Sequence, residues 1–133
     1  MYILGNRSKA NLIGVHPDLR AVIEKAIQLT PIDFTVIEGV RTVEKQKKLF
    51  MLGASTTMNS RHLTGHAVDV AAWMDSAIRW DWPLYDQLSE AIKSASVRVG
   101  VPIDWGGDWS SFRDGPHFQL PWNSYPIKEE STR

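Results

Sequence analysis

Two periods organise the apolar positions of this chain. Leu19, Val22, Ile23, Ala26 and Ile27 recur at three- and four-residue spacing, which places them on one face of a helix. Pro17 suits a first helical turn and Thr30-Pro31 opposes continuation, so the pattern predicts a helix over 17–29. Phe34 to Ile37 reads as a short strand leading into Glu38-Gly39-Val40-Arg41. Thr42 then caps a second helix ending at Gly53, with Glu44 early and Lys47 and Lys48 late, as the helix dipole prefers. Residues 54–65 are polar and turn-like. From His66 to Ala71 the period becomes two: Ala67, Asp69 and Ala71 share one face, Val68 and Val70 the other. Leu84, Leu88, Ala91, Ile92 and Ala95 mark a third helix over 83–99, stopped by Gly100. A last strand is expected over 117–120, and the tail from Pro121 reads as irregular and partly mobile.

Three helices among short strands in irregular order predict α+β architecture. The expectation is a single domain over 1–133, with a small antiparallel sheet, flanking helices, a core over about 15–122 and an irregular tail over 123–133. The length of 133 residues suits one domain with its own core. Fifteen basic and fifteen acidic residues cancel, which argues against holding nucleic acid by bulk charge. The N-terminal apolar run breaks at Gly5, Asn6 and Arg7, too early for a secretory leader, and no stretch is long enough to span a bilayer. A monomer made and kept in the cytosol, without stable membrane association, is expected.

Absence of cysteine changes the chemistry most. It excludes disulfide scaffolds, thiolate metal sites and cysteine nucleophiles, so any metal must rest on His and carboxylate ligands. Asp69 sits between Val68 and Val70, where a buried carboxylate needs a metal, an arginine or backbone donors. His62 lies seven residues upstream across a turn, and Asp114-Gly115-Pro116-His117 sets a carboxylate three residues before a histidine that begins an apolar strand. Two histidines and one aspartate would offer zinc (Zn2+) three ligands and leave a fourth position for water, whose proton a nearby carboxylate can take. Asp114 is read either as that base or as an Asx-turn residue before Gly-Pro. Arg41 either binds a substrate oxygen or pairs with Glu38 or Glu44. Trp105 and Trp109, flanking Gly106-Gly107-Asp108, are read as a groove wall. Trp73, Trp80, Trp82 and Trp122 are read as packing residues, and His16 and His66 as non-ligands.

Taken together, Ser60-x-His62-x-x-x-x-x-x-Asp69 and Asp114-x-x-His117 resemble the zinc D-alanyl-D-alanine carboxypeptidase and L-alanyl-D-glutamate endopeptidase family, which includes phage endolysins. Glu38-Gly39-Val40-Arg41-Thr42 and Trp105-Gly106-Gly107-Asp108-Trp109 extend the resemblance, in the family's order, over about residues 15–122. The resemblance implies a hedgehog/DD-peptidase-like fold, His62, Asp69 and His117 as zinc ligands, and Asp114 as general base. It implies that Arg41 orients substrate or polarises the scissile carbonyl, and that Ser60 contacts substrate. The implied partner is the peptidoglycan stem peptide, cut between L-alanine and D-glutamate. The enzyme would wait in the host cytoplasm until a phage membrane pore admits it to the wall. Many relatives carry Glu where this chain has Asp114, and no separate wall-binding module is expected. D-Ala-D-Ala carboxypeptidase activity, a non-catalytic wall-binding module and a glycosidase using Glu38 and Asp114 are the competing readings.

Overall fold

The computed structural model describes residues 1–55 and 57–126. Within them lie helices α1 (Asn6–Asn11), α2 (Pro17–Leu29), α3 (Val43–Met51) and α4 (Trp82–Val99). The strands are β1 (Phe34–Glu38), β2 (Ala67–Met74), β3 (Ala77–Arg79), β4 (Asp104–Trp105) and β5 (His117–Gln119). Every pairing is antiparallel, in the order β1-β2-β5-β4, with β3 added to β2. The architecture is the small α+β domain that the sequence pattern predicts.

Helix α2 has the bounds set by its apolar period and by Pro17, and the Asp18 N–H donates to Nδ1 of its N-cap, His16 (3.0 Å). Its stripe packs against α4, which ends at Gly100 and contributes Leu88, Ile92 and Ala95 to the same core. Val68, Val70 and Ala72 of β2 close that core from the sheet side. Strand alternation therefore turns Asp69 the other way, out of the helix-packed layer. Helix α3 starts at the Thr42 cap, whose hydroxyl accepts from the Lys45 N–H (3.1 Å), but stops at Met51, two residues before Gly53. Its only buried residue is Gln46.

Helix α1 carries no apolar period and was not expected. It is held by the edge strand: Ser8 Oγ accepts from the Val36 N–H (2.9 Å) and Asn11 Nδ2 donates to the Val36 carbonyl (2.8 Å). These bonds satisfy backbone groups that an open sheet edge would leave exposed to pairing. Leu12, just after the helix, is fully packed, so the core begins ahead of residue 15. Strand β2 also runs past Ala71 to Met74 and turns back through Asp75 and Ser76 into β3. Both turn residues have positive φ, as a two-residue hairpin of matching twist requires.

The tail needs correction in its described part. Buried Arg61 donates from Nη2 to the carbonyls of Leu120 (2.8 Å), Pro121 (3.2 Å) and Tyr125 (2.8 Å). Tyr125 in turn donates its hydroxyl to Asp18 (2.6 Å). Residues 121–126 are thus pinned by a buried guanidinium, not loose, while 127–133 fall outside the described residues. None of the described helices is long and apolar enough to cross a membrane.

Candidate metal centre

Three adjacent strands bring the chemistry together. Asp69 on β2 lies opposite Glu38 on β1 and opposite His117 on β5, so neighbouring side chains on one sheet face converge. His62 arrives from a single 3-10 turn, Arg61–Thr64, capped by Ser60, whose hydroxyl accepts from the His62 N–H (3.2 Å). His62 Nε2 lies 3.1 Å and His117 Nδ1 3.2 Å from the same oxygen, Asp69 Oδ1, and the three donor atoms fall within 4.8 Å of one another.

The outer nitrogens of the two rings are also engaged. His62 Nδ1 donates to the Gly39 carbonyl (2.8 Å), and His117 Nε2 donates to the side-chain oxygen of Gln119 (2.8 Å). With both outer N–H groups so used, each ring in its neutral form turns a lone pair toward a carboxylate oxygen, and without a metal only a proton on the inner nitrogen makes that contact a hydrogen bond to Asp69. Three electron-rich atoms facing one another call for a cation between them. Tetrahedral ligands at bond lengths of about 2.0–2.1 Å stand about 3.3 Å apart, close to the two His–Asp separations observed. The donor set and its outer hydrogen bonds therefore fit a divalent metal with three protein ligands. Burial would raise the Asp69 carboxyl, but His117 and His62 overcome it and hold it far below the carboxylate range. His117 shows the converse: burial lowers its pKa, and the Asp69 hydrogen bond and charge more than reverse this.

Asp114 sits on the loop before β5, with its N–H donating to the Gly106 carbonyl (3.0 Å). The loop needs a glycine at 106, because a Cβ there would come within 2.4 Å of the Asp114 carbonyl oxygen. No hydrogen bond occupies the Asp114 carboxylate among the described residues. Burial raises its pKa, and the Asp69 charge adds to the effect, so this carboxylate holds a proton more readily than an ordinary aspartate. Both Asp114 and the candidate ligands His62, Asp69 and His117 line one cleft of about 920 Å³.

Arg41 also lines that cleft. Its guanidinium pairs with Glu38 and donates from Nη1 to Gln46 (2.7 Å), with Nη2 3.9 Å from Asp69 Oδ2. The ion pair with Glu38 and the place beside the ligands thus coexist. Arg41 and Lys45 overcome the effect of burial and keep Glu38 below its usual range, so this carboxylate is committed to cations rather than free for glycosidase chemistry. Ser60 lines the cleft as well, though its hydroxyl already caps the His62 turn.

The tryptophan assignments are partly reversed. Trp105 is buried, donates Nε1 to the Gly115 carbonyl (2.7 Å) and stacks on Phe118, so it is a core residue and not a groove wall. Trp109 does line the cleft, its ring 5.2 Å from that of His117. Trp73, Trp80, Trp82 and Trp122 are all substantially exposed, and Trp122 faces the cleft. His16 and His66 stand apart from the metal-ligand set, their rings 5.2 Å from each other. Gln119 and Gln46 were missed. The i, i+2 relation of His117 and Gln119 on a strand was a usable signal for the first; nothing local marks the second.

Gly39 couples α1 to this centre. A Cβ there would lie 1.8 Å from the Asn11 carbonyl oxygen, a clash only backbone movement can relieve. Gly39→Ala is expected to destabilise the fold by about 1–3 kcal/mol. By shifting the carbonyl that orients His62 it should also weaken metal affinity, by about tenfold or more. Thermal unfolding and competitive metal titration measure the two effects; wild-type values in both would deny Gly39 this role.

The chain is similar to several known proteins. The L-alanyl-D-glutamate peptidase of Escherichia phage T5 is 32% identical over 114 residues, covering 83% of each chain. The crystal structure of the Serratia marcescens L-Ala D-Glu endopeptidase ChiX matches with a TM-score of 0.88 and 44% identity, covering 92% of each chain. The vancomycin-resistance D,D-dipeptidase VanXYg shares the fold at 17% identity and a TM-score of 0.53, over 80% of this chain and 50% of its own. A family model described as phage L-alanyl-D-glutamate peptidase matches residues 1–120, and the chain belongs to that family.

Proposed function

We propose that this protein is a zinc-dependent peptidoglycan endopeptidase that cuts the L-alanyl-D-glutamate bond of the stem peptide during phage lysis of the host. The observation that carries the reading is the convergence of His62, Asp69 and His117 on one point beside an unengaged Asp114. Membership of the phage L-alanyl-D-glutamate peptidase family supports the choice of bond. Zinc bound by the three ligands would supply Lewis acidity, lowering the pKa of water and polarising the scissile carbonyl.

The chain's own residues do the rest. Asp114 takes a proton from the attacking water and passes it to the leaving amine, a relay that its raised pKa favours. Arg41, fixed by Glu38 and Gln46, holds a positive charge beside the carbonyl oxygen on which charge develops. Gly39 and Gln119 keep both ligand rings in the tautomers that offer lone pairs inward. In the lytic cycle the protein would act on the wall after release through a phage-encoded membrane pore.

Mass spectrometry of digested peptidoglycan, with and without chelator, tests the reading. New amino termini on D-glutamate that vanish with chelator are expected. Release of terminal D-alanine instead would make it a carboxypeptidase, and wall binding without cleavage would make it a binding module. Chelator-resistant release of reducing sugars would point to a glycosidase.

Proton competition sets a second expectation. Asp69 raises the His117 pKa, so the proton that zinc must displace is held more tightly than on an ordinary histidine. Acidification should therefore weaken zinc binding from a pH above the usual histidine midpoint, by about tenfold per pH unit below the His117 pKa. Competitive zinc titrations from pH 5 to 8 measure this; a flat affinity through that range would contradict it.

A further inference from the structure

Trp122 is 39% exposed and lines the cleft, yet it is not loosely placed. The Arg61 guanidinium lies 4.2 Å from its ring centroid, and that guanidinium is itself buried and locked onto three backbone carbonyls. One face of the indole is thus backed by a fixed cation, next in sequence to the ligand His62. Trp109, beside His117, and Phe112, 74% exposed at a φ of +52°, line the same cleft. Holding a bulky residue at positive φ costs backbone energy without burying its side chain, which is the arrangement of a contact site rather than of packing.

Substrate chemistry selects the occupant. The inference rests on the peptidase reading above. In the stem peptide, L-alanine is joined through its amine to the lactyl group of an N-acetylated amino sugar. The sugar therefore stands one residue from the scissile carbonyl, within about two residue lengths, about 7 Å, of it. A pyranose has a flat face of C–H bonds and a polar rim, which matches a partly exposed indole in a cleft also lined by polar and charged side chains. We propose that Trp122 is the stacking platform for the sugar ring that carries the stem peptide, and that it makes the enzyme prefer glycan-linked peptides to free ones. This assigns glycan recognition to the same cleft as the candidate catalytic residues.

The test compares two soluble probes, an N-acetylmuramyl stem peptide and the same peptide N-acetylated without the sugar. Their kcat/KM ratio is measured for the zinc-loaded chain, and their binding is measured by calorimetry in the Asp114→Asn background. A preference for the sugar-linked probe of about tenfold is expected, mostly in KM. Trp122→Ala should collapse that preference, Trp122→Phe should keep part of it, and Trp80→Ala, exposed but outside the cleft, should leave it intact. Should Trp122→Ala fail to fold, the partial loss in Trp122→Phe carries the measurement. Equal handling of both probes by the unaltered chain, or an equal loss on both in the variants, overturns the proposal. If neither probe is cleaved but the binding preference and its loss persist, the peptidase reading fails and the sugar platform stands.

Discussion

Replacing His117 by alanine should empty the metal centre and reduce peptidoglycan cleavage by at least about a thousandfold, a loss of about 4 kcal/mol or more in transition-state stabilisation. Three candidate ligands become two, and Asp69 Oδ1 loses one of the two ring nitrogens that converge on it. The change also leaves the buried Gln119 side-chain oxygen without its donor. The stability readout separates metal loss from general damage. Zinc at a hundred times its Kd stabilises a folded chain by about 2.7 kcal/mol, so added zinc should raise the wild-type Tm. In the variant it should not, whatever the Tm of the metal-free protein. A variant that keeps both stoichiometric zinc and activity would remove His117 from the ligand set.

Asp114→Asn should give the opposite division: metal and fold kept, turnover lost. Asparagine has the same shape but cannot accept the proton, so kcat is expected to fall by about a hundredfold to ten-thousandfold, with zinc content unchanged. Stability should hold or rise. Burial and the facing Asp69 charge raise the folded-state pKa of Asp114, so its ionised form is disfavoured on folding. A group raised in this way contributes stability below its unfolded pKa and loses it as pH rises through the folded value. Neutralising it removes that loss at pH 7. Thermal melts and single-turnover assays on the zinc-loaded variant decide the matter. Wild-type turnover would remove Asp114 as the base. Its side chain makes no Asx-turn bond among the described residues either, because the turn before Pro116 is closed by the Asp114 backbone carbonyl, which accepts from the His117 N–H (3.2 Å).

Legibility in the sequence followed the local strength of each signal. Helix α2 could be read to the residue because five apolar positions share one face between Pro17 and Thr30-Pro31. Strand β2 was legible from its alternation, which already separated Asp69 from Val68 and Val70. Helix α1 was invisible because its six residues depend on Val36 and Gly39 rather than on any pattern of their own. Strands β3 and β4 were too short to show a period. The tail misled for a different reason: its anchor, Arg61, lies about sixty residues away and looks in sequence like any basic loop residue.

The tryptophans mark the limit most clearly. An indole is large enough to fill a core and amphipathic enough to line a groove, so its composition decides nothing. Trp105 went inside because β4 pairs with β5 and lays its ring on Phe118, while Trp122 stayed at the cleft because Arg61 turns the chain there. By itself the sequence determined the donor chemistry: without cysteine, a metal had only His and carboxylate to use, and His62, Asp69, Asp114 and His117 stood in an order that resembles one family. Only the tertiary structure decided that three of these meet at one oxygen while the fourth stays unengaged. Strand register and one 3-10 turn set those distances, and both are settled by packing across the sheet rather than by the residues beside each ligand.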